Sequence, residues 1–336
     1  MSPDPAPHDT DDDLRPIEVT SATAVVTGGA SGIGRGIVGA LLRAGATVVI
    51  ADIEQSAIDT TLAELSTPDT EGRLSGIRTD ITDESSVKAL ADAVYGTHGA
   101  VNLLFNNAGV TSGGGGKPWQ QEPNDWRWCF GVNVFGTAFC VSEFVPRMIA
   151  GGEPGQIVNT SSGDGGFAPV PTASVYASSK AAVSCFTEAL HHNLASERTQ
   201  LRASVFYPAG GLQRTGLFTA QRNRPAHLQR VGAATGRKSM TFDEMKTMLE
   251  RAGRDVVEAD LDAQGDFVVA GAVERRYIIT MALRDTVDLL HRRADAIARF
   301  DFPSAPPGTS GPTTTRGRRV SRGRGSRRSS MRSRSG

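Results

Sequence analysis

The chain has 336 residues, 39% of them hydrophobic, enough to bury a core and too many for a wholly disordered polymer. Its formal net charge of zero conceals an acidic start (Asp4, Asp9, Asp11, Asp12, Asp13) and a tail, residues 312–336, that carries nine arginines and no acid. The body before that tail is mildly acidic, which argues against a nucleic-acid-binding body; three cysteines (Cys129, Cys140, Cys185) without a CxxC pair argue against a disulfide framework and for a reducing, cytoplasmic setting.

Residues 1–15 read as a disordered acidic leader that lacks the apolar run of a signal peptide. No stretch of 18 uncharged apolar residues follows, so no membrane span is expected. From residue 16 to about 300, short β-branched runs alternate with amphipathic stretches. The runs at 23–26, 47–51, 101–105, 156–159 and 201–207 predict strands, and 33–43, 55–65, 84–95, 126–149 and 175–195 predict helices. Buried strands alternating with helices imply an α/β fold, a Rossmann-type doubly wound parallel sheet in a single domain.

Residues 210–253 break the alternation and read as a helical substrate lid. Leu217, Phe218, Met240, Phe242, Met245 and Met248 in it form either an apolar cover or ordinary helix core. A last strand is expected over 277–280 and a last helix over 283–300. Residues 301–336 are Arg/Ser/Gly-rich and disordered by composition. They bind nucleic acid electrostatically if the tail is functional, and are otherwise a bare extension.

Thr27-Gly28-Gly29-Ala30-Ser31-Gly32-Ile33-Gly34 follows the first strand and opens the first helix. Glycines permit a tight turn and close approach to a pyrophosphate, and the helix N-terminus presents free N–H groups with a positive dipole end. Asp52 ends the second strand 18 residues after Gly34, where a carboxylate accepts from a ribose diol and repels a 2′-phosphate. No Lys or Arg stands at Ala30, Ser31, Ala51 or Ile53, so NAD(H) is expected over NADP(H). Two alternatives stand beside this reading: Asp52 as a plain cap of the next helix, and Arg35 as an attractor of 2′-phosphate.

Tyr176 and Lys180 stand four apart on a helical stretch, so they share a face. A tyrosine near pKa ~10 is a poor base at neutrality, and a neighbouring ammonium lowers it. The pair is therefore a workable general acid/base. Ser162, 14 residues earlier and just after a strand, is placed to hold a substrate oxygen; Ser161 is the alternative. Adjacent His191 and His192 cannot share a helix face, and no zinc-spaced cluster is present, so no metal is expected.

These motifs occur in order, and the chain resembles the short-chain dehydrogenases/reductases of the classical type over about residues 16–300. The resemblance rests on TGxxxGxG at Thr27–Gly34, Asp80-Ile81, Asn106-Asn107-Ala108-Gly109, Asn133, Ser162 and Tyr176-Ala177-Ser178-Ser179-Lys180. It implies an oxidoreductase that interconverts a secondary alcohol and a ketone. Tyr176 would be the acid/base, Lys180 its modulator and a ribose ligand, Ser162 the holder of the substrate oxygen, and Asn133 the holder of a relay water. Gly28, Ser31, Gly32, Ile33, Gly34, Asp52, Ile53, Asp80, Ile81, Asn107, Ala108, Gly109 and Thr215 would line the cofactor. Thr215 stands two residues later than the family's usual Thr after the sixth strand. The resemblance also implies a homodimer or homotetramer. A cofactor-sensing binder without catalysis is the rival reading, and it leaves the Asn133, Ser162, Tyr176 and Lys180 set without a purpose.

Overall fold

Seven parallel strands lie in the order β3-β2-β1-β4-β5-β6-β7, and the order reverses between β1 and β4. A computed structural model describes residues 13–113, 116–231, 239–281 and 283–300. The first twelve residues of the expected leader, residues 232–238 of the lid and the Arg-rich tail lie outside the described residues. All described residues belong to one compact unit that ends by Ser304.

In chain order the elements are β1 (Thr23–Thr27), α1 (Gly32–Arg43), β2 (Thr47–Asp52), α2 (Gln55–Leu65), β3 (Leu74–Arg78), α3 (Glu84–His98) and β4 (Leu103–Asn106). There follow α4 (Pro123–Phe130), a π-helical turn (Gly131–Gly136), α5 (Thr137–Gly151), β5 (Gly155–Thr160), the single turn α6 (Gly163–Gly166), α7 (Ser174–Ser196) and β6 (Leu201–Phe206). The chain closes with α8 (Phe242–Arg251), α9 (Leu261–Val273), β7 (Ile278–Ile279) and α10 (Leu283–Ala298).

Every residue of β1, β4, β5 and β6 is buried, as a sheet covered on both faces requires. Side chains alternate between the two covers: Ala24 and Val26 pack with α1 and α9, whereas Val25 packs with α3, α5 and α7. The stripe Val183, Phe186, Leu190 and Leu194 on α7 faces the same sheet side, with Phe186 and Leu190 packed against the cluster that holds Leu194.

Two elements escaped the sequence pattern. Strand β3 is a partly exposed edge in which Ser75-Gly76 breaks the apolar alternation, and a Cβ on Gly76 would come 2.3 Å from Ile58. Helix α9 is built from small residues so that it can touch α1. A Cβ on Gly36 would come 2.2 Å from the Leu261 carbonyl, and one on Gly265 would come 2.2 Å from that of Gly36. The end of the expected leader is also docked: Arg15 N donates to Gln200 Oε1 at 2.9 Å, and Arg275 Nη2 donates to Arg15 O at 3.1 Å.

The expected helix 126–149 begins earlier, at Pro123, and runs to Gly151 through its π-helical turn. By length and composition this stretch is apolar enough to cross a membrane. Cys140, Val141, Phe144, Val145 and Met148 bury one side of it in the protein core.

Candidate active site

The carboxyl ends of β1, β2, β4 and β5 meet at the reversal in strand order, which is where open α/β sheets bind ligands. Thr27 ends β1 and ties it to the loop after β4. Its Oγ1 accepts from Asn107 N at 3.0 Å and Ala108 N at 3.1 Å, and Asn107 Nδ2 donates to Thr27 O at 3.2 Å. Gly28 (φ +62°) lies against this loop, where a Cβ would come 2.8 Å from the Ala108 Cα. Ser31 precedes α1 without capping it through its side chain, so it supplies no acceptor to the first-turn amides of α1.

Asp52 sits beside those amides. Its Oδ2 accepts from Ala30 N at 3.2 Å and its Oδ1 from Glu54 N at 3.1 Å, while burial pushes its carboxyl above the usual range. Asp52 does not cap α2, whose N-cap is Glu54. Arg35 turns away and pairs with Glu64 on α2 at 2.8 Å. A helix start behind a Gly-rich turn, with a buried carboxylate at its side and Arg35 paired elsewhere, is a lining that could hold a dinucleotide. Thr215 completes this wall, lying 3.1 Å from a Cβ placed on Gly32.

Asp80 lies farther along the same edge, where its Oδ1 accepts from Thr82 N at 2.9 Å and from the Thr82 hydroxyl at 2.7 Å. The side chain of Ile81 packs inward with Val87 and Cys140, and that of Ile53 is half-buried, its carbonyl accepting from Arg78 Nε at 3.2 Å. An adenine contact from Ile81 therefore falls to its backbone.

The catalytic candidates converge from β5, the π-helical turn and α7. Ser161 points into the core, its hydroxyl donating to Lys180 O at 2.8 Å and pairing with Ser184 at 2.8 Å. Ser162 instead lies beside the Tyr176 phenol, whose titration it lowers, and its hydroxyl accepts from Asp164 N at 3.1 Å. With the Ser161 hydroxyl engaged in the core, Ser162 is the candidate left beside Tyr176. The turn after Ser162 lies flat on α7: Gly165 has φ +98°, and a Cβ there would come 1.9 Å from Ala177 O.

Lys180 stands one helical turn beyond Tyr176, its Nζ 5.9 Å from the phenol ring centroid and 2.7 Å from Thr160 O. Burial pushes the ammonium down to about 8. Burial also pushes the Tyr176 phenol well up; the Ser162 hydroxyl opposes this, and the nearby Asp164 carboxyl adds to it.

Asn133 occupies the π-helical turn, a geometry frequent at functional sites. It clamps Val110, accepting from Val110 N at 2.8 Å and donating to Val110 O at 3.0 Å, and it donates to Ser179 Oγ at 2.9 Å. Ser179 passes the chain to Tyr176 O at 2.7 Å. A Cβ on Gly109 would come 3.3 Å from Asn133 Oδ1 and 3.4 Å from Lys180 Nζ, so this glycine keeps a gap between them.

The lid adds residues that motif reading passed over. Arg224 is buried, pairs with buried Asp125 at 2.9 Å and lies over the Trp128 ring. Arg230 pairs with the same carboxylate at 2.9 Å. Val110, Trp128 and Ala220 form an apolar cluster beneath, with Val132 and Leu228 against it. Phe218 meets Phe242 edge to face at 5.6 Å, whereas Met248 is exposed and takes no part in a cover. The arginine density of 222–230 was the sequence signal for these anchors; their partners lie about a hundred residues or more away in the chain. His191 is structural, its Nδ1 bonded to Ala203 O at 2.8 Å.

The profile of the short chain dehydrogenase family matches residues 22–224. A C alpha-dehydrogenase of a Sphingobium species is 37% identical over 222 residues, covering 65% of this chain and 68% of the relative. A 1-deoxy-11-beta-hydroxypentalenate dehydrogenase of Streptomyces avermitilis is 34% identical over 187 residues, 56% of this chain and 67% of the relative. Among solved structures, a short chain dehydrogenase/reductase from Burkholderia phymatum in complex with NAD is 33% identical with a TM-score of 0.76, covering 86% of this chain and 99% of that one. A metagenomic short-chain oxidoreductase in complex with NADP is 29% identical with a TM-score of 0.52, covering 58% of this chain and 85% of that one.

Proposed function

Because the chain belongs to the short chain dehydrogenase family, and is therefore an oxidoreductase acting on alcohol-type substrates, we propose that it uses NAD(H) to interconvert a secondary alcohol and a ketone with Tyr176 as acid/base. The observation that carries the proposal is the convergence of Ser162, Tyr176 and Lys180, with Lys180 Nζ 5.9 Å from the Tyr176 ring, at the strand ends that also carry Asp52.

Gly28 to Gly34, Asp52 and Thr215 would hold the dinucleotide, which when bound supplies the hydride exchange. Ser162 and Tyr176 hold the substrate oxygen between two hydroxyls. In the ketone-reducing direction Tyr176 gives its proton to that oxygen, and in the other direction it takes one. Lys180 stabilises the phenolate while it exists, and Asn133 fixes the backbone around Val110 and Tyr176 on which this alignment depends.

The pairing of Asp52 with Ala30 and Glu54 amides, and of Arg35 with Glu64, supports NAD(H) over NADP(H). The apolar cluster under the lid supports a bulky, largely hydrophobic substrate. Relatives named for hydroxypentalenate and fluoren-9-ol are consistent with that class. A homodimer or homotetramer in the cytoplasm completes the proposal; exposed Phe135, in the π-helical turn, and Ile149, on α5, are available to an interface, and sedimentation velocity reads the state.

Titration with NADH and NADPH, followed by fluorescence, tests the cofactor assignment; tighter NADPH binding would overturn it. Tyr176→Phe is expected to keep NADH binding and lose turnover by roughly a thousandfold or more, since it deletes the acid/base. Turnover near the wild-type rate in that variant would remove Tyr176 from the role.

A further inference from the structure

Asp52 spans a gap in the cofactor groove from below. One of its oxygens accepts from Ala30 N in the Gly-rich turn at 3.2 Å, and the other accepts from Glu54 N at 3.1 Å. Residues Thr215–Asn223 of the lid span the same gap with a foot on each side. At the first foot Thr215 lies against Gly32, and a Cβ on the next residue, Gly216, would come 3.6 Å from Ser31 Oγ. At the second foot Arg222 Nε donates to Glu54 Oε2 at 3.1 Å, Arg222 Nη2 pairs with Glu54 Oε1, and Asn223 Nδ2 donates to Oε1 at 2.8 Å.

Arg222 also ties the two feet together. Its Nη1 donates to Gly216 O at 3.1 Å and to Thr219 Oγ1 at 2.7 Å, so one guanidinium closes the strap on itself and onto the rim of the groove. Beyond it the chain has a separate anchor, the Arg224–Asp125 pair on α4. The strap is thus fixed independently at its far end, and Arg222, with Asn223 beside it, holds it down on Glu54 next to Asp52.

We propose that Arg222 and Glu54 form a clasp that closes the strap over the adenosine side of the dinucleotide groove and sets how fast the cofactor leaves. This rests on the dinucleotide reading of the groove. Cofactor exchange requires the strap to lift, and lifting requires the clasp to break. Both side chains remain partly open to water, at 39% and 26% of their surface, so the clasp opens and reforms instead of sealing the groove. The guanidinium also carries positive charge to the edge of a groove built for a diphosphate, and a second, direct effect on the cofactor must be separated from the clasp.

The experiment uses the full chain with NADH as probe. Enzyme loaded with NADH is mixed with excess NAD in a stopped-flow fluorimeter, for wild type, Arg222→Gln, Glu54→Gln and the double variant. Each single variant is expected to release NADH roughly three- to tenfold faster, and the double no faster than the singles, because either change breaks the same contact. Association changes less than dissociation. In the absence of cofactor, Glu54→Gln is expected to speed tryptic cleavage after Arg222. Faster release in Arg222→Gln alone would overturn the clasp in favour of a direct Arg222–cofactor attraction. Unchanged release in both singles would overturn the clasp and leave the cofactor reading standing. Failure of the wild type to bind NADH or NADPH would overturn both.

Discussion

The two walls of the proposed cofactor groove are held by different means. Around the Gly-rich turn, backbone meets backbone: a Cβ on Gly34 would come 2.1 Å from Gly28 O and 2.7 Å from Asn107 Nδ2. The lid opposite is held by long side chains. Arg222 reaches Glu54 across 168 residues of sequence, and Arg224 reaches Asp125 across 99. Contacts of the first kind tolerate no added atom, and they leave a fixed spelling in the sequence. Those of the second kind depend on charge and reach, and other residue pairs would serve as well. The proposed function asks for a cofactor seat of constant shape and a cover that moves, and the interactions of the two walls suit those tasks.

The largest effect is expected from Gly34→Ala. The obstacle is a backbone carbonyl that cannot swing aside, so the change is expected to cost about 3 kcal/mol or more and to abolish NADH binding. Urea denaturation and fluorescence titration read the two consequences. A fully stable Gly34→Ala protein that binds NADH normally would erase the contrast between the walls.

An intermediate effect is expected on the lid side from Arg224→Met. Removing one partner strands Asp125 in a buried place, though Arg230 still serves it, so the cost is about 2–3 kcal/mol. The loss is expected as local opening of residues 216–231, seen in amide exchange, with little change in the exchange of β1 and α1. Uniformly faster exchange throughout would show that the lid and the sheet unfold as one unit.

The smallest effect is expected from Arg35→Ala. Its bond to Glu64 is partly exposed and worth about 1 kcal/mol or less. The ratio of NADH to NADPH affinity is expected to move by less than about twofold. A large fall in NADPH affinity would place Arg35 at the ribose after all and weaken the assignment of selectivity to Asp52.

The legibility of the site follows the same division. Thr27–Gly34, Asp52, Asn107, Ser162, Tyr176 and Lys180 stood out as candidates because the chemistry proposed for each demands a particular residue at a particular spacing. Strand β3 and helix α9 did not. Edge position frees β3 from strict alternation, and close contact with α1 replaces the apolar stripe of α9 with glycine and alanine. Ser161 stood in sequence as the alternative to Ser162; the strand end commits its hydroxyl to Lys180 O and Ser184 in the core. Met248, plausible as a lid residue by helical spacing, faces solvent.

By itself the sequence determined the doubly wound α/β fold, the Gly-rich turn between β1 and α1 and the family, since hydrophobic period, glycine placement and the i,i+4 pair are local properties of the chain. Only the tertiary structure decided what Arg35, Arg222 and Arg224 are for. A guanidinium on a long flexible stem carries the same charge wherever it stands, and its role is set by which carboxylate the fold brings within reach: Glu64, Glu54 or Asp125.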